Sequence, residues 1–140
     1  KVKAFDKNIS IVFENTNTPV MVYADYEKIQ RVIYNLLDNA IKFTNKNGKI
    51  ILKTEELEQK AYISIIDNGI GMKEDEQARI FDRLYKADSS RGMDKTGSGL
   101  GLSIVKEFIK AHNEEIFVKS TLGKGSTFTF TLKLYNKNKK

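Results

Sequence analysis

The sequence predicts an α+β fold, a two-layer α/β sandwich with a mixed, mostly antiparallel sheet and helices packed on one face. Three observations predict it. Ile29, Val32, Ile33, Leu36, Leu37 and Ala40 recur at helical spacing and form one apolar face. Leu100, Ile104, Val105 and Phe108 do the same nearer the C-terminus. The last apolar run alternates strictly: Phe128, Phe130, Leu132 and Leu134 face one way, and Thr127, Thr129, Thr131 and Lys133 the other. That alternation is the pattern of a sheet with one face on a core and one face wet.

In chain order, "ISIVFE" (9–14) reads as a strand, "NTNTP" as a turn and "VMVYA" (20–24) as a second strand. Asp25 fits the N-cap of the first helix, and "NKNG" ends it, with Gly48 available for a left-handed position. "KIILKTE" and "AYISIID" form a hairpin through the polar segment 57–60. The segment 72–98 is too long for an ordinary connection, and "EDEQARIFDRLYK" forms a short helix within it. The second long helix runs from Gly99 to Ala111, and "EIFVKS" and "STFTFTLKL" close the chain around the turn "TLGKG".

The chain has 140 residues, 40% of them hydrophobic, enough for one domain over 1–135, with "NKNKK" (136–140) as a basic tail. It opens on Lys rather than Met, which reads as a piece of a longer protein. The apolar runs are short and broken by charge, so no membrane span or direct membrane contact is expected. There are no cysteines, which excludes disulfides and thiolate metal sites and leans toward a cytoplasmic setting. The net charge of +6 suits an anionic partner such as a nucleotide, and serves solubility equally well. No basic cluster interleaves with aromatics, so no nucleic acid is expected as a partner.

Three constellations carry chemistry. Asn35, Asn39 and Lys42 fall on one helix stripe within roughly 60° of arc, with Asp38 beside them. Asparagine is a poor helix-interior residue, because its amide competes for backbone hydrogen bonds. Amide and carboxylate oxygens suit a hard cation such as Mg²⁺, and a lysine suits a phosphate. A plain solvated face is the alternative. Next, "DNGIGM" sets Asp67 at a strand end, where a carboxylate can accept from an exocyclic amine. Gly69 and Gly71 give the backbone room to approach a flat ring. An Asn-Gly hairpin turn is disfavoured, because the residues after it are charged and helix-prone. Third, "TGSGLGLSIVKEF" leads Gly97, Gly99 and Gly101 straight into a helix, where free N–H groups make an anion site or a flexible linker.

The order and spacing of the three resemble the catalytic and ATP-binding domain of a bacterial sensor histidine kinase, from the superfamily shared with the ATPase domains of DNA gyrase, MutL and the heat-shock chaperones. "NLLDNAIKFT" resembles its N box, "DNGIGM" its G1 box, "IFDRLYKAD" its F box, "TGSGLGLSIVK" its G2 box and "STLGKGSTFTFTL" its closing hairpin. The resemblance covers about 9–134, and "YKAD" favours the histidine kinases over the other branches.

The resemblance implies a Bergerat-type ATP-binding fold with ATP and Mg²⁺ as cofactors. Asn39 and Asn35 would hold the metal beside the triphosphate, and Lys42 would contact phosphate. Asp67 would accept from the adenine amino group, with Phe43, Gly69, Gly71 and Met72 around the base and Ser126 supplying a hydroxyl. Gly97, Ser98, Gly99, Leu100 and Gly101 would donate backbone N–H groups to the phosphates. Residues 72–98 would form the ATP lid, anchored by Phe81, with Lys86 and Arg91 as cations for the γ-phosphate; Arg83 is an alternative. The implied partners are the helical dimerisation and phosphoacceptor domain of the parent kinase and a downstream response regulator, with the isolated chain a monomer.

Three departures from the family pattern stand out. Phe43 replaces a usual Tyr and loses its hydroxyl. Lys86 replaces a usual Arg and loses the bidentate fork. "HNEE" replaces His-Gly-Gly, which predicts a looser turn after the second long helix. His112 is the only histidine. It falls where the family has a structural histidine, so it is not expected to be the phosphoacceptor. The function implied is donation of the γ-phosphate to a histidine of another domain. Two alternatives are an ATP-hydrolysing member of the superfamily, disfavoured because that branch has a Glu base where this chain has Asn35, and a degenerate domain that only binds a partner.

Overall fold

The computed structural model describes residues 7–14, 20–82 and 101–135. Within them lie five strands and three helices: β1 (Ser10–Glu14), α1 (Tyr26–Phe43), β2 (Lys49–Leu57), β3 (Lys60–Asp67), α2 (Glu74–Arg79), α3 (Gly101–Ala111), β4 (Ile116–Thr121) and β5 (Gly125–Lys133). The strands form one sheet in the order β1-β2-β3-β5-β4. β1 pairs parallel to β2 and every other pair is antiparallel. The mixed, mostly antiparallel sandwich expected from the sequence is the fold observed.

Alternation along the strands decides which face is buried. Ile50, Ile65, Phe128, Phe130 and Leu132 meet Val32 and Leu36 of α1 and Val105 and Ile109 of α3 in one core. On β5 the polar face is not uniformly wet: Thr131 is buried, because its hydroxyl donates to the Glu114 carboxylate (2.7 Å) and accepts from the Glu115 N–H (3.2 Å). Asp25 caps α1 as expected, its side chain accepting from the Lys28 N–H. Glu58 and Gln59, both at positive φ, form the two-residue turn that joins β2 to β3.

Three local expectations change. Val20–Ala24 is no strand; it contributes a single bridge, Val22 to Leu134. It lies against 133–135, with the Tyr23 N–H on the Lys133 carbonyl (2.9 Å) and the Tyr135 N–H on the Met21 carbonyl (2.8 Å), and the pairing stops there. After α1 the left-handed position is taken by Asn47 (φ 66°), not Gly48. Gly48 is needed for closeness instead: a Cβ there would lie 2.2 Å from the Thr44 methyl. The turn after α3 is tight despite lacking glycine. Asn113 adopts φ 59°, its N–H reaches the Lys110 carbonyl (2.9 Å), and the Glu114 N–H reaches Ile109 (3.2 Å), a Schellman closure. Residues 72–82 carry the expected short helix as α2, Glu74–Arg79, and are packed, with Met72, Glu76 and Ile80 all buried.

Candidate functional site

The ends of β3 and β5 and the last turns of α1 converge at one end of the sheet. Asp67 is the last residue of β3 and is paired in register with Ser126. It is 5% exposed. Its Oδ1 accepts from the Gly69 N–H (2.9 Å), and the carboxylate also accepts from the Ser126 backbone N–H. Among the described residues no cation pairs with it. Burial therefore pushes the Asp67 carboxyl above the ordinary carboxylate range, with the two backbone donors pulling the other way. A buried acid lacking a counter-charge is costly to the fold.

The glycines of "DNGIGM" serve close backbone contact. A Cβ on Gly69 would lie 2.0 Å from the Phe43 carbonyl oxygen, and one on Gly71 (φ 70°) would lie 2.1 Å from that of Thr121. Backbone thus fills the space a side chain would need at either position. Ile70 donates to the Phe43 carbonyl (3.0 Å), locking the loop onto the end of α1. Phe43 itself is half-buried. Asn68 turns away, its Oδ1 accepting from the Lys49 N–H (2.9 Å).

On α1, Asn35, Asn39 and Lys42 occupy one stripe, as their spacing requires. Asn35 donates through Nδ2 to the Gly101 carbonyl (3.3 Å), which ties the start of α3 to this stripe. Lys42 pairs with Asp38 at 3.2 Å. Asn39 is the exception to satisfaction: its Nδ2 is buried with no hydrogen-bond partner among the described residues. An unmet buried amide is costly, and native structures rarely keep one without a reason. The donor set fits a hydrated Mg²⁺ bound to a triphosphate. Amide oxygens suit the ion, and the orphaned Asn39 N–H suits a phosphate oxygen or a metal-bound water.

A network of hydroxyls surrounds Ser126. Its own hydroxyl lies 2.9 Å from that of Ser120, which also receives the Met72 N–H (2.8 Å) and donates to the Gly125 carbonyl (2.8 Å). The Gln77 carboxamide bonds both the N–H (3.1 Å) and the carbonyl (2.9 Å) of Ser120, filling one rung of the free edge of β4 as a peptide group would. Phe81 meets Phe128 edge-on at 5.9 Å. The first part of the expected lid is thus fastened to the sheet.

His112 is engaged at both nitrogens: Nε2 accepts from the Asp25 N–H (3.0 Å), and Nδ1 lies 2.8 Å from the Phe108 carbonyl. It joins the start of α1 to the end of α3, a structural post remote from Asp67. Ser120, Gln77 and Lys7 were not singled out by the sequence. Each has a partner 34 to 48 residues away, and no local pattern reports such contacts. Lys86, Arg91, Gly97, Ser98, Gly99 and Leu100, with Arg83 and the tail 136–140, lie outside the described residues.

The family model for histidine kinase-, DNA gyrase B- and HSP90-like ATPases matches residues 24–136. The adaptive-response sensory kinase SasA of Crocosphaera subtropica is 40% identical over 131 residues, 93% of this chain and 34% of that kinase. The chain thus spans about a third of that relative's length. Among solved structures, the catalytic domain of histidine kinase ThkA superposes with a TM-score of 0.80 at 31% identity, covering 94% of this chain and 84% of that one. ThkA has also been solved with the response regulator TrrA (TM-score 0.77, 28% identity, 99% of this chain and 38% of that one). ShkA, solved with AMPPNP, superposes at 0.81 with 27% identity over 96% of this chain and 27% of that one.

Proposed function

The chain belongs to the histidine kinase-, DNA gyrase B- and HSP90-like ATPase family, within its sensor histidine kinases, and from that premise we propose that it binds Mg²⁺-ATP and presents the γ-phosphate to a histidine on a separate helical phosphoacceptor domain. The observation that carries the reading is Asp67: a buried carboxylate with two backbone donors and, among the described residues, no cation, at a strand end where family members read adenine. Such a group keeps acceptor capacity for an exocyclic amine and costs the fold stability in the absence of a ligand role. Asn39 and Asn35 hold Mg²⁺, which neutralises triphosphate charge when bound; Lys42 adds a cation, and the start of α3 adds N–H groups. Phosphoryl transfer depends on this positioning and neutralisation more than on covalent protein chemistry.

The domain spans 1–135, and its nucleotide cover rests on the fixed base formed by Met72–Asp82. The AMPPNP complex of ShkA supports the nucleotide, and the TrrA complex of ThkA supports a response regulator as the downstream partner. No described helix is long and apolar enough to cross a membrane. We place the domain in the cytoplasm, monomeric in isolation, with dimerisation left to the helical domain. The test is radiolabel transfer from γ-labelled ATP. Label is expected on an added helical phosphoacceptor domain of a related kinase and not on this chain alone. Labelling of the isolated chain would overturn the reading.

A further inference from the structure

We infer that Lys7 is a positioning residue for the triphosphate end of the proposed nucleotide site, acting by capping the C-terminus of α1; this rests on the nucleotide reading above. A helix ends with carbonyls that have no partner within it. In α1 each of them is met. Ala40 receives the Thr44 hydroxyl (2.6 Å) and Phe43 receives the Ile70 N–H (3.0 Å). The Lys7 ammonium reaches the carbonyls of Ile41 (2.9 Å), Lys42 (3.1 Å) and, just beyond the helix, Thr44 (3.2 Å). An ammonium has three N–H donors, and three carbonyls take them.

The cap comes from a different part of the chain, and that part is itself fastened. The Lys7 carbonyl accepts from the Asn47 N–H (2.9 Å), Asn8 Nδ2 donates to Asn47 Oδ1 (2.8 Å), and the Ser10 N–H donates to the Gly48 carbonyl (3.1 Å). The segment leading into β1 and the loop leaving α1 are therefore one clasp. The turn it holds carries Lys42 and Phe43, with Asn39 directly before it. Two effects result. The clasp stops the last turn from fraying, which steadies Lys42 and, through the Phe43 carbonyl, the Asp67 loop alike, so both ligands share this smaller effect. The ammonium also offsets the negative end of the helix dipole, which otherwise opposes an anionic ligand. Adenosine, read by Asp67 on the neighbouring strand, carries no such charge.

Calorimetric titration of Mg²⁺-AMPPNP and of adenosine into the native chain, Lys7→Met and Lys7→Arg tests this. Lys7→Met is expected to weaken Mg²⁺-AMPPNP about fivefold and adenosine less than about twofold, with Lys7→Arg binding both as the native chain does. Equal weakening of both ligands, or of neither, overturns the proposal. Should Lys7→Met not fold, Lys7→Gln, which keeps an amide donor, is judged by the same split. Failure of the native chain to bind either ligand would strike the nucleotide reading itself.

Discussion

Two acids, Asp67 buried and Glu114 half-buried, stand at opposite ends of the β3–β5 ladder and are treated in opposite ways. Glu114 sits beside the Lys60–Lys133 end of the β3–β5 ladder, its side chain 8% exposed. Burial pushes its pKa up, but the Thr131 hydroxyl and the Lys60 ammonium (2.9 Å) outweigh that and hold it below the usual range. Asp67, at the other end, has two backbone donors among the described residues, and burial wins. The lesson is that Glu114, supplied with a cation, is architecture, whereas Asp67, with none among the described residues, keeps its acceptor capacity.

The largest expected effect falls on Asp67, through its neighbour. Gly69→Ala would drive a Cβ into the Phe43 carbonyl and displace one of Asp67's two donors. We expect a loss of about 3 kcal/mol, read from chemical denaturation. A neutral result would mean that the loop tolerates a side chain and that its closeness is incidental. Glu114→Ala should cost about 2 kcal/mol by leaving the buried Thr131 hydroxyl without its acceptor, while ATP-analogue affinity stays within about twofold. A large drop in affinity there would erase the distinction between the two acids.

Asp67→Asn should leave thermal stability at neutral pH unchanged or slightly raised, because it removes an ionised group that burial penalises. A melting point lowered by several degrees would make Asp67 architectural too. The smallest effect is in the pH profile, and its signs differ. The raised Asp67 pKa gives a contribution that is present below the unfolded value and is lost as pH rises through the folded one. The depressed Glu114 pKa gives a contribution present above the unfolded value and lost as pH falls through the folded one. Melting curves between about pH 3 and 7 should therefore show Glu114→Gln flattening the acid-side loss and Asp67→Asn steepening it. Identical profiles for the two variants would contradict the assignment.

Periodicity and end signals made much of the molecule legible in its sequence. The stripe of Asn35, Asn39 and Lys42 comes from helical geometry, and Asp67 at a strand end comes from the alternation of β3. The Asp25 cap and the β4–β5 hairpin were readable for the same reason. Contacts between distant segments were not. Nothing local distinguishes Glu114, whose cation is 54 residues away, from Asp67, which has none among the described residues. Asn47 and Gly48 can both adopt positive φ, and only the close approach of Thr44 decides between them. Val20–Ala24 has strand composition, but its pairing with 133–135 stops at one bridge, Val22 to Leu134.

The most direct measurement is calorimetric titration of Mg²⁺ with a non-hydrolysable ATP analogue into the native chain, Asp67→Asn and Glu114→Gln. The account predicts a fall of at least tenfold for Asp67→Asn, about 1.4 kcal/mol, with Glu114→Gln binding as the native chain does. Native-like binding by Asp67→Asn, or equal losses in the two variants, would contradict it.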